Sequence, residues 1–187
     1  MRSIGLLIIA FAAVSGCAVG TTYVKPETNI SEIGKVAVMP FTSNKAGLGV
    51  EVANRLTVAL LQLNRFQVVE STPLMEVVLR STEETLRTED WSGDSTEALP
   101  SPITTNQFAE TLGVDAVLTG SIRRYGNWFV GKNMNIDSKL ISANGSILWT
   151  CNYKTDWAFT GLGTEGSLAS KVVKETMKRF KISFGLK

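Results

Sequence analysis

Hydrophobic and polar positions divide this 187-residue chain into blocks with distinct periods, and the first block is an uninterrupted apolar run. Residues 4–14 are apolar or small, Arg2 precedes them, and small residues lead into Cys17. A positive start, a short apolar core and small residues before the cut are the layout of a cleavable export signal. A membrane-spanning helix needs about 20 apolar residues, so this run is too short to span a bilayer. The pattern therefore predicts that residues 1–16 are a removable signal peptide.

The following blocks predict a tether, two strands and a helix. Residues 18–34 are polar and show no period, which is typical of a tether. Residues 35–41 and 66–70 are apolar runs rich in β-branched side chains, so both are expected to be strands. Between them, residues 50–64 place apolar side chains on one helical face, which predicts an amphipathic helix.

The next stretch predicts two helices separated by a long loop. Residues 73–86 follow a Ser-Thr pair and begin with a proline, as the first turn of a helix often does. Residues 87–103 lose all periodicity and gather Ser, Gly, Asp and Pro, so we expect a surface loop, either functional or merely decorative. Residues 105–112 predict a short helix that ends at Gly113.

The strongest local signal is a hairpin centred on Asn144-Gly145, a pair typical of a two-residue turn. This hairpin follows a long strand that we predict over residues 114–125. A tight turn sets three pairs opposite each other: Ala143 with Ser146, Leu140 with Trp149, and Ile136 with Tyr153. In that register one face is apolar: Met134, Ile136, Leu140, Ile147, Trp149, Cys151 and Tyr153. The other face is polar: Asn135, Asp137, Lys139, Asn152 and Lys154. Turn and pattern agree, so the hairpin should have one buried and one wet side.

The last block, residues 167–180, repeats apolar positions at helical spacing with lysines on the opposite side, which predicts a C-terminal amphipathic helix. The predicted order is β-α-β-α-α-β-β-β-α. This order indicates an α/β fold in which helices flank a mixed, mostly antiparallel sheet. Without residues 1–16 the chain has 171 residues (187 − 16), enough for one domain, which we place at residues 35–187 after an anchor and tether at residues 17–34.

Composition excludes several classes of function. The chain has no histidine, which removes imidazole metal sites, His-based acid/base catalysis and Ser–His or Cys–His nucleophiles. Loss of Arg2 with the signal leaves 18 basic against 17 acidic residues, a net charge of +1 (18 − 17), which gives no reason to expect a nucleic-acid partner. We therefore expect no catalytic residue, cofactor or metal. A glycosidase that uses two carboxylates and no histidine stays open as an alternative.

Val14-Ser15-Gly16-Cys17 resembles the lipobox of bacterial lipoproteins, in which an aliphatic residue and two small residues precede the cysteine. The resemblance implies that Cys17 becomes the acylated N-terminus of the mature protein. Several acyl chains would make the membrane anchor effectively permanent. A plain secretory signal with an incidental cysteine is the alternative. Ala18 stands where Asp would resemble an inner-membrane retention signal, so the resemblance implies the outer membrane, with the domain on its periplasmic face.

Four segments together resemble a superfamily of envelope proteins. It includes the curli secretion lipoprotein, the lipoprotein of the Pel exopolysaccharide system, the lipoprotein activator of penicillin-binding proteins, and the amino-terminal domain of TolB. The segments are residues 36–41 (VAVMPF), 52–70, 112–122 (LGVDAVLTGSI) and 145–149 (GSILW). The likeness spans about residues 35–180. It implies a non-catalytic protein that works through partners.

The layout is nearest to the Pel-type lipoprotein. The curli pore has added membrane-crossing hairpins, whereas residues 126–133 are too few for a strand pair of about 9–11 residues each. The synthase activator has a long disordered arm, whereas the tether here is short. The resemblance thus implies a homo-oligomeric accessory of envelope export or exopolysaccharide secretion. An activator or regulator of a peptidoglycan synthase is the alternative, so the expected protein partners belong to secretion or cell-wall synthesis.

An aromatic cluster is the candidate interaction surface. Tyr125, Trp128 and Phe129 lie between two predicted strands, at an expected hairpin tip. Exposed aromatic rings at such a tip suit a membrane interface or a partner's pocket. The equal alternative is that the rings fold back onto the core. Trp149 and Cys151 alternate on the apolar face, and we expect both in the core, with Cys151 as a small hydrophobe rather than a reactive thiol.

Overall fold

The computed structural model describes residues 20–69, 102–125, 133–155 and 165–186, and these residues build one sheet with helices on both faces. The strands are β1 Gly20–Val24, β2 Lys35–Val38, β3 Thr42–Ser43, β4 Gln67–Val69, β5 Ala116–Tyr125, β6 Asn133–Ser142 and β7 Ile147–Lys154. The helices are α1 Leu48–Leu61, α2 Pro102–Leu112 and α3 Glu165–Ser183. The side chains of residues 102–104, 125 and 165 lie outside the description.

Seven strands form the sheet in the order β1-β7-β6-β5-β2-β4, and β3 pairs with the end of β5. The pairs β1–β7, β7–β6 and β6–β5 are antiparallel, whereas β2 and β3 run parallel to β5, and β4 runs parallel to β2. The predicted α/β class with a mixed, mostly antiparallel sheet is confirmed. The predicted order of elements is confirmed wherever it falls on described residues, and the helix predicted at residues 73–86 lies outside them.

The structure corrects one prediction near the N-terminus. We predicted an aperiodic tether over residues 18–34, but Gly20–Val24 is a strand that pairs with β7 along its whole length, and a 3₁₀ turn follows at Ile30–Glu32. The segment has little hydrophobic periodicity because three of its five residues lack an apolar side chain of any size and because its middle three residues are exposed. The ladder with β7 stabilises this strand, and a local pattern does not reveal such a partner.

The larger core lies between the sheet and the helix pair α1–α3. Leu118, Ile136 and Trp149 on the sheet are at most 1% exposed, and so are Leu56 of α1 and Val172 of α3. The positions that we expected on the buried side of α3 are all buried: Ala169, Val172, Val173, Thr176, Met177 and Phe180. A smaller cluster on the opposite face packs α2 against β2 and β5: Ala37, Met39, Phe108, Ala109, Val114 and Val117.

The β6–β7 hairpin confirms the predicted long-range register, with Leu140 opposite Trp149 and Ile136 opposite Tyr153. Next to the turn the predicted pair of Ala143 with Ser146 is wrong. Ser142 N–H donates to Ser146 O (2.9 Å), so the loop has three residues instead of two. Gly145 has a φ of +85°, as such a loop requires, and the register shifts after Leu140. Ile147, directly after the turn, is 41% exposed rather than buried.

Two glycines inside regular elements allow close backbone packing. Gly49, one residue before the helix predicted over residues 50–64, lies buried in α1, where a Cβ atom would stand 1.7 Å from the carbonyl oxygen of Phe41. A Cβ atom on Gly120 of β5 would stand 1.8 Å from the carbonyl oxygen of Asp137 and 2.8 Å from the Phe41 ring. Only glycine fits at either position.

Candidate functional site

The topology gathers several strand ends at one end of the sheet. Gly20 lies opposite Tyr153, Tyr153 opposite Ile136, and Ile136 opposite Ile122. We call these four residues the Gly20 row. The chain enters the described fold at this row, so residues 17–19 connect directly to this end of the sheet. The residues beyond the row are the ends of β5 and β7, the start of β6 and the loop that follows β3.

The start of β1 is fastened to the helix layer by Arg179 of α3. Its Nη1 donates a hydrogen bond of 3.1 Å to the carbonyl oxygen of Gly20. The guanidinium carbon lies 5.5 Å from the centre of the Tyr153 ring, within the range of a cation–π contact. A side chain on Gly20 would collide with this guanidinium, since a Cβ atom would stand 2.5 Å from Nη2. The absence of a side chain on Gly20 therefore leaves room for Arg179. We call its contacts with Gly20 and Tyr153, which fix the start of β1, the Arg179 clasp.

Side chains extend the ladder beyond the Gly20 row. Asn44, directly after β3, donates from Nδ2 to Arg124 O (2.9 Å) and accepts from Arg124 N–H at Oδ1 (3.1 Å). Thr155, directly after β7, exchanges bonds of 2.9 Å with the backbone of Met134, accepting at Oγ1 and donating from its N–H. These contacts hold the ends of β5 and β6 in place although neighbouring strands have already ended.

The predicted interaction surface falls only partly on described residues. Tyr125 ends β5 opposite Asn133 of β6, so the antiparallel pair confirms that residues 126–132 connect two adjacent strands at the Gly20 end. The side chain of Tyr125, together with Trp128 and Phe129, lies outside the described residues. The lipid attachment residue Cys17 and its preceding motif Val14, Ser15 and Gly16 also lie outside them.

Trp149 and Cys151 take the core positions that we expected. Trp149 is fully buried, contacts Phe180 edge to face at 5.2 Å, and donates from Nε1 to Ser183 Oγ (3.1 Å). Burial raises the pKa of the Cys151 thiol from 9.0 to about 11, although Arg179 acts in the opposite direction. The thiol is therefore protonated at neutral pH and is a poor nucleophile.

The polar face of the hairpin is half-buried rather than fully wet. Asn135, Asp137, Lys139 and Asn152 are partly covered, and Lys154 is exposed. Asn152 Nδ2 donates to Asp137 Oδ1, which ties β7 to β6 across the strands. The Asp137 carboxylate is thus part of the contact that joins the two strands.

The groove between α1 and α3 is open and mostly apolar. It has a volume of about 370 Å³ and is lined by Asn54, Arg55, Val58, Ser170 and Val173. Arg55, its charged group, pairs with Glu51 at 2.8 Å and donates to Ser170 Oγ at 2.5 Å. Across the described ranges, no cluster of three Cys, Asp or Glu side chains could hold a metal ion. None of the helices in those ranges is long and apolar enough to cross a membrane.

Comparison with known proteins identifies relatives in fold but not in sequence. Neither a protein-family model nor a curated protein matches this chain. The PelC dodecamer from Paraburkholderia phytofirmans is similar in two crystal forms. In one form the TM-score is 0.55 at 13% identity, and the match covers 86% of this chain and 96% of the PelC chain. In the other form the TM-score is 0.52 at 14% identity, and the match covers 85% of this chain and 96% of the PelC chain. The C-terminal domain of LpoB from Salmonella enterica is less similar, with a TM-score of 0.43 at 18% identity over 66% of this chain and 82% of that domain. The expected resemblance is thus confirmed at the level of the fold.

Proposed function

We propose that this chain is an outer-membrane lipoprotein, anchored through Cys17 on the periplasmic face, that works by assembly rather than by catalysis. Its proposed role is an accessory of envelope export or exopolysaccharide secretion. The observation that carries the proposal is the fold shared with PelC over 86% of this chain, since PelC forms a dodecamer. A similar domain in many membrane-anchored copies could surround or support an export path.

The position of β1 supports the anchored part of the proposal. Gly20 begins the first strand only three residues after Cys17, and three extended residues span about 10 Å. An acylated Cys17 would therefore hold the domain directly against the bilayer. An activator that must reach a synthase through the peptidoglycan needs a far longer arm, so the short link argues against the alternative of a synthase regulator.

The described chemistry supports a non-catalytic role. The chain has no histidine, and the Cys151 thiol is buried with a raised pKa. The Asp137 carboxylate accepts a hydrogen bond from the Asn152 amide and joins β6 to β7. These features favour a protein that presents surfaces to partners over the carboxylate-based glycosidase.

The test is the assembly state of the acylated full chain. The chain is expressed with its own residues 1–16, extracted from outer membranes in mild detergent, and measured by light scattering on gel filtration. We expect a large, discrete assembly and an intact mass that includes acyl groups. The matched Cys17→Ser variant should lose the acyl mass and leave the outer-membrane fraction. A monomer of the acylated chain would contradict the role as an assembling accessory.

A further inference from the structure

We propose that the Gly20 end of the sheet is a membrane-facing surface whose basic side chains contact the phosphates of anionic lipid headgroups. The inference rests on the proposed anchoring through Cys17 and adds the orientation of the domain and the residues that meet the bilayer. It follows from where the chain enters the fold and from the charge of the strand ends gathered there.

The first step concerns orientation. The link from Cys17 to Gly20 reaches at most about 10 Å. Gly20 is fixed by the ladder with β7 and by the hydrogen bond from Arg179. The opposite end of β5, at Ala116, lies six residues below the Gly20 row, a distance of about 20 Å along a strand. With so short a link, the Gly20 end stands at the bilayer and the β6–β7 turn points away from it.

The second step concerns charge. Four basic residues of the described strand ends and of the loop after β3 lie beyond the Gly20 row, and we call them the basic rim: Lys45, Arg123, Arg124 and Lys154. Lys45 and Lys154 are exposed, and the two arginines are partly exposed. Of the described strand-end residues on that side of the row, none is Asp or Glu. The first turn of α1, which begins after β3 at the same end of the sheet, adds one acidic residue, Glu51, and its carboxylate is paired with Arg55.

The third step concerns the partner. The link of about 10 Å holds this end of the sheet at the bilayer, so the row of cations along that end lies at headgroup depth, where anionic phosphates concentrate. Lysine and arginine side chains bind phosphate oxygens through charge-assisted hydrogen bonds. Each cation near such a surface strengthens binding about fivefold, so one acyl anchor and a basic rim together fix both attachment and tilt.

The experiment measures the distance of two labelled sites from the headgroups. The acylated full chain is reconstituted into vesicles of phosphatidylcholine with 30% phosphatidylglycerol that carry a paramagnetic headgroup quencher. A fluorophore is attached to Thr21→Cys near the Gly20 row or to Gln62→Cys beyond the far end of α1. Both natural residues are exposed, and buried Cys151 with its pKa of about 11 stays unlabelled at neutral pH. We expect several-fold stronger quenching at residue 21 than at residue 62.

A matched charge pair then tests the basic rim. Lys45→Glu with Lys154→Glu should lower quenching at residue 21 to the level seen in pure phosphatidylcholine. Lys174→Glu with Lys178→Glu on the exposed side of α3 changes the net charge equally and should leave quenching unchanged. Equal quenching at residues 21 and 62 would overturn the orientation, and equal effects of the two charge pairs would overturn the role of the rim. A natural full chain that carries no acyl groups after expression with residues 1–16, and therefore does not stay on the vesicles, would instead overturn the proposed function itself.

Discussion

At some single residues this fold tolerates no larger side chain, and Gly120 is one of these positions. A methyl group there would meet the carbonyl oxygen of Asp137 on β6 and the ring of Phe41, neither of which can move without shifting a strand or the core. We predict that Gly120→Ala lowers the free energy of unfolding by about 2–3 kcal/mol. Urea denaturation measures the loss. Gly34→Ala is the control, because its Cβ atom would lie 3.4 Å from Asp115 Oδ2 and meets little resistance. Similar losses for both variants would show that the close approach at Gly120 is relaxed at little cost.

A second prediction at this scale concerns Cys151 and pH. Burial raises the pKa of its thiol to about 11 in the folded chain, against 9.0 when the chain is unfolded. The unfolded state therefore ionises first as the pH rises, so the thiol's contribution to stability is complete below pH 9 and is lost between pH 9 and about 11. Denaturation at pH 7, 9 and 11 should show this loss in the natural chain. Cys151→Ala should show a smaller loss over the same interval, and an identical loss would assign the effect to other groups.

At the scale of elements, β1 depends on contacts that are distant in sequence. Arg179 lies 159 positions after Gly20 and still supplies the hydrogen bond that fixes the start of the strand. Residues 114–125 and 167–180, in contrast, carry their own apolar pattern, and the ends of the corresponding β5 and α3 were predicted to within three residues. Elements with a buried face could be found from the sequence, whereas an edge strand with an exposed middle could not.

The Arg179 clasp leads to a testable prediction about the stability of β1. Arg179→Met keeps the aliphatic stem but removes the hydrogen bond to Gly20 and the cation over Tyr153. We predict a stability loss of about 1–2 kcal/mol, concentrated in β1. Hydrogen exchange should show faster exchange of the Gly20–Val24 amides and unchanged protection in the centre of β6. Lys178→Met, at an exposed neighbouring position, is the control. Equal exchange rates of the β1 amides in the two variants would show that the Arg179 clasp does not stabilise β1.

At the scale of the whole molecule, the candidate site depends on how strand ends are brought together. Lys45, Arg123 and Lys154 lie in three separate segments, and none of the three carries a motif on its own. They share one end of the sheet because β3 runs parallel to β5, β6 and β7 alternate in direction, and β1 returns beside β7. The position of Gly20, where the chain enters the sheet, relative to these residues is a property of this topology alone.

The sequence by itself determined the α/β class, the order of the main elements, the hairpin register away from its turn, and the core positions of Trp149 and Cys151. It could do so because burial imposes a period of two on strands and 3.6 on helices, and each leaves a local trace. Only the tertiary structure decided that Gly20–Val24 is a strand, that Gly49 and Gly120 are packing positions, and which strand ends meet beside the N-terminus. Those facts arise from contacts between residues up to 159 positions apart, and such contacts leave no periodic trace in either partner.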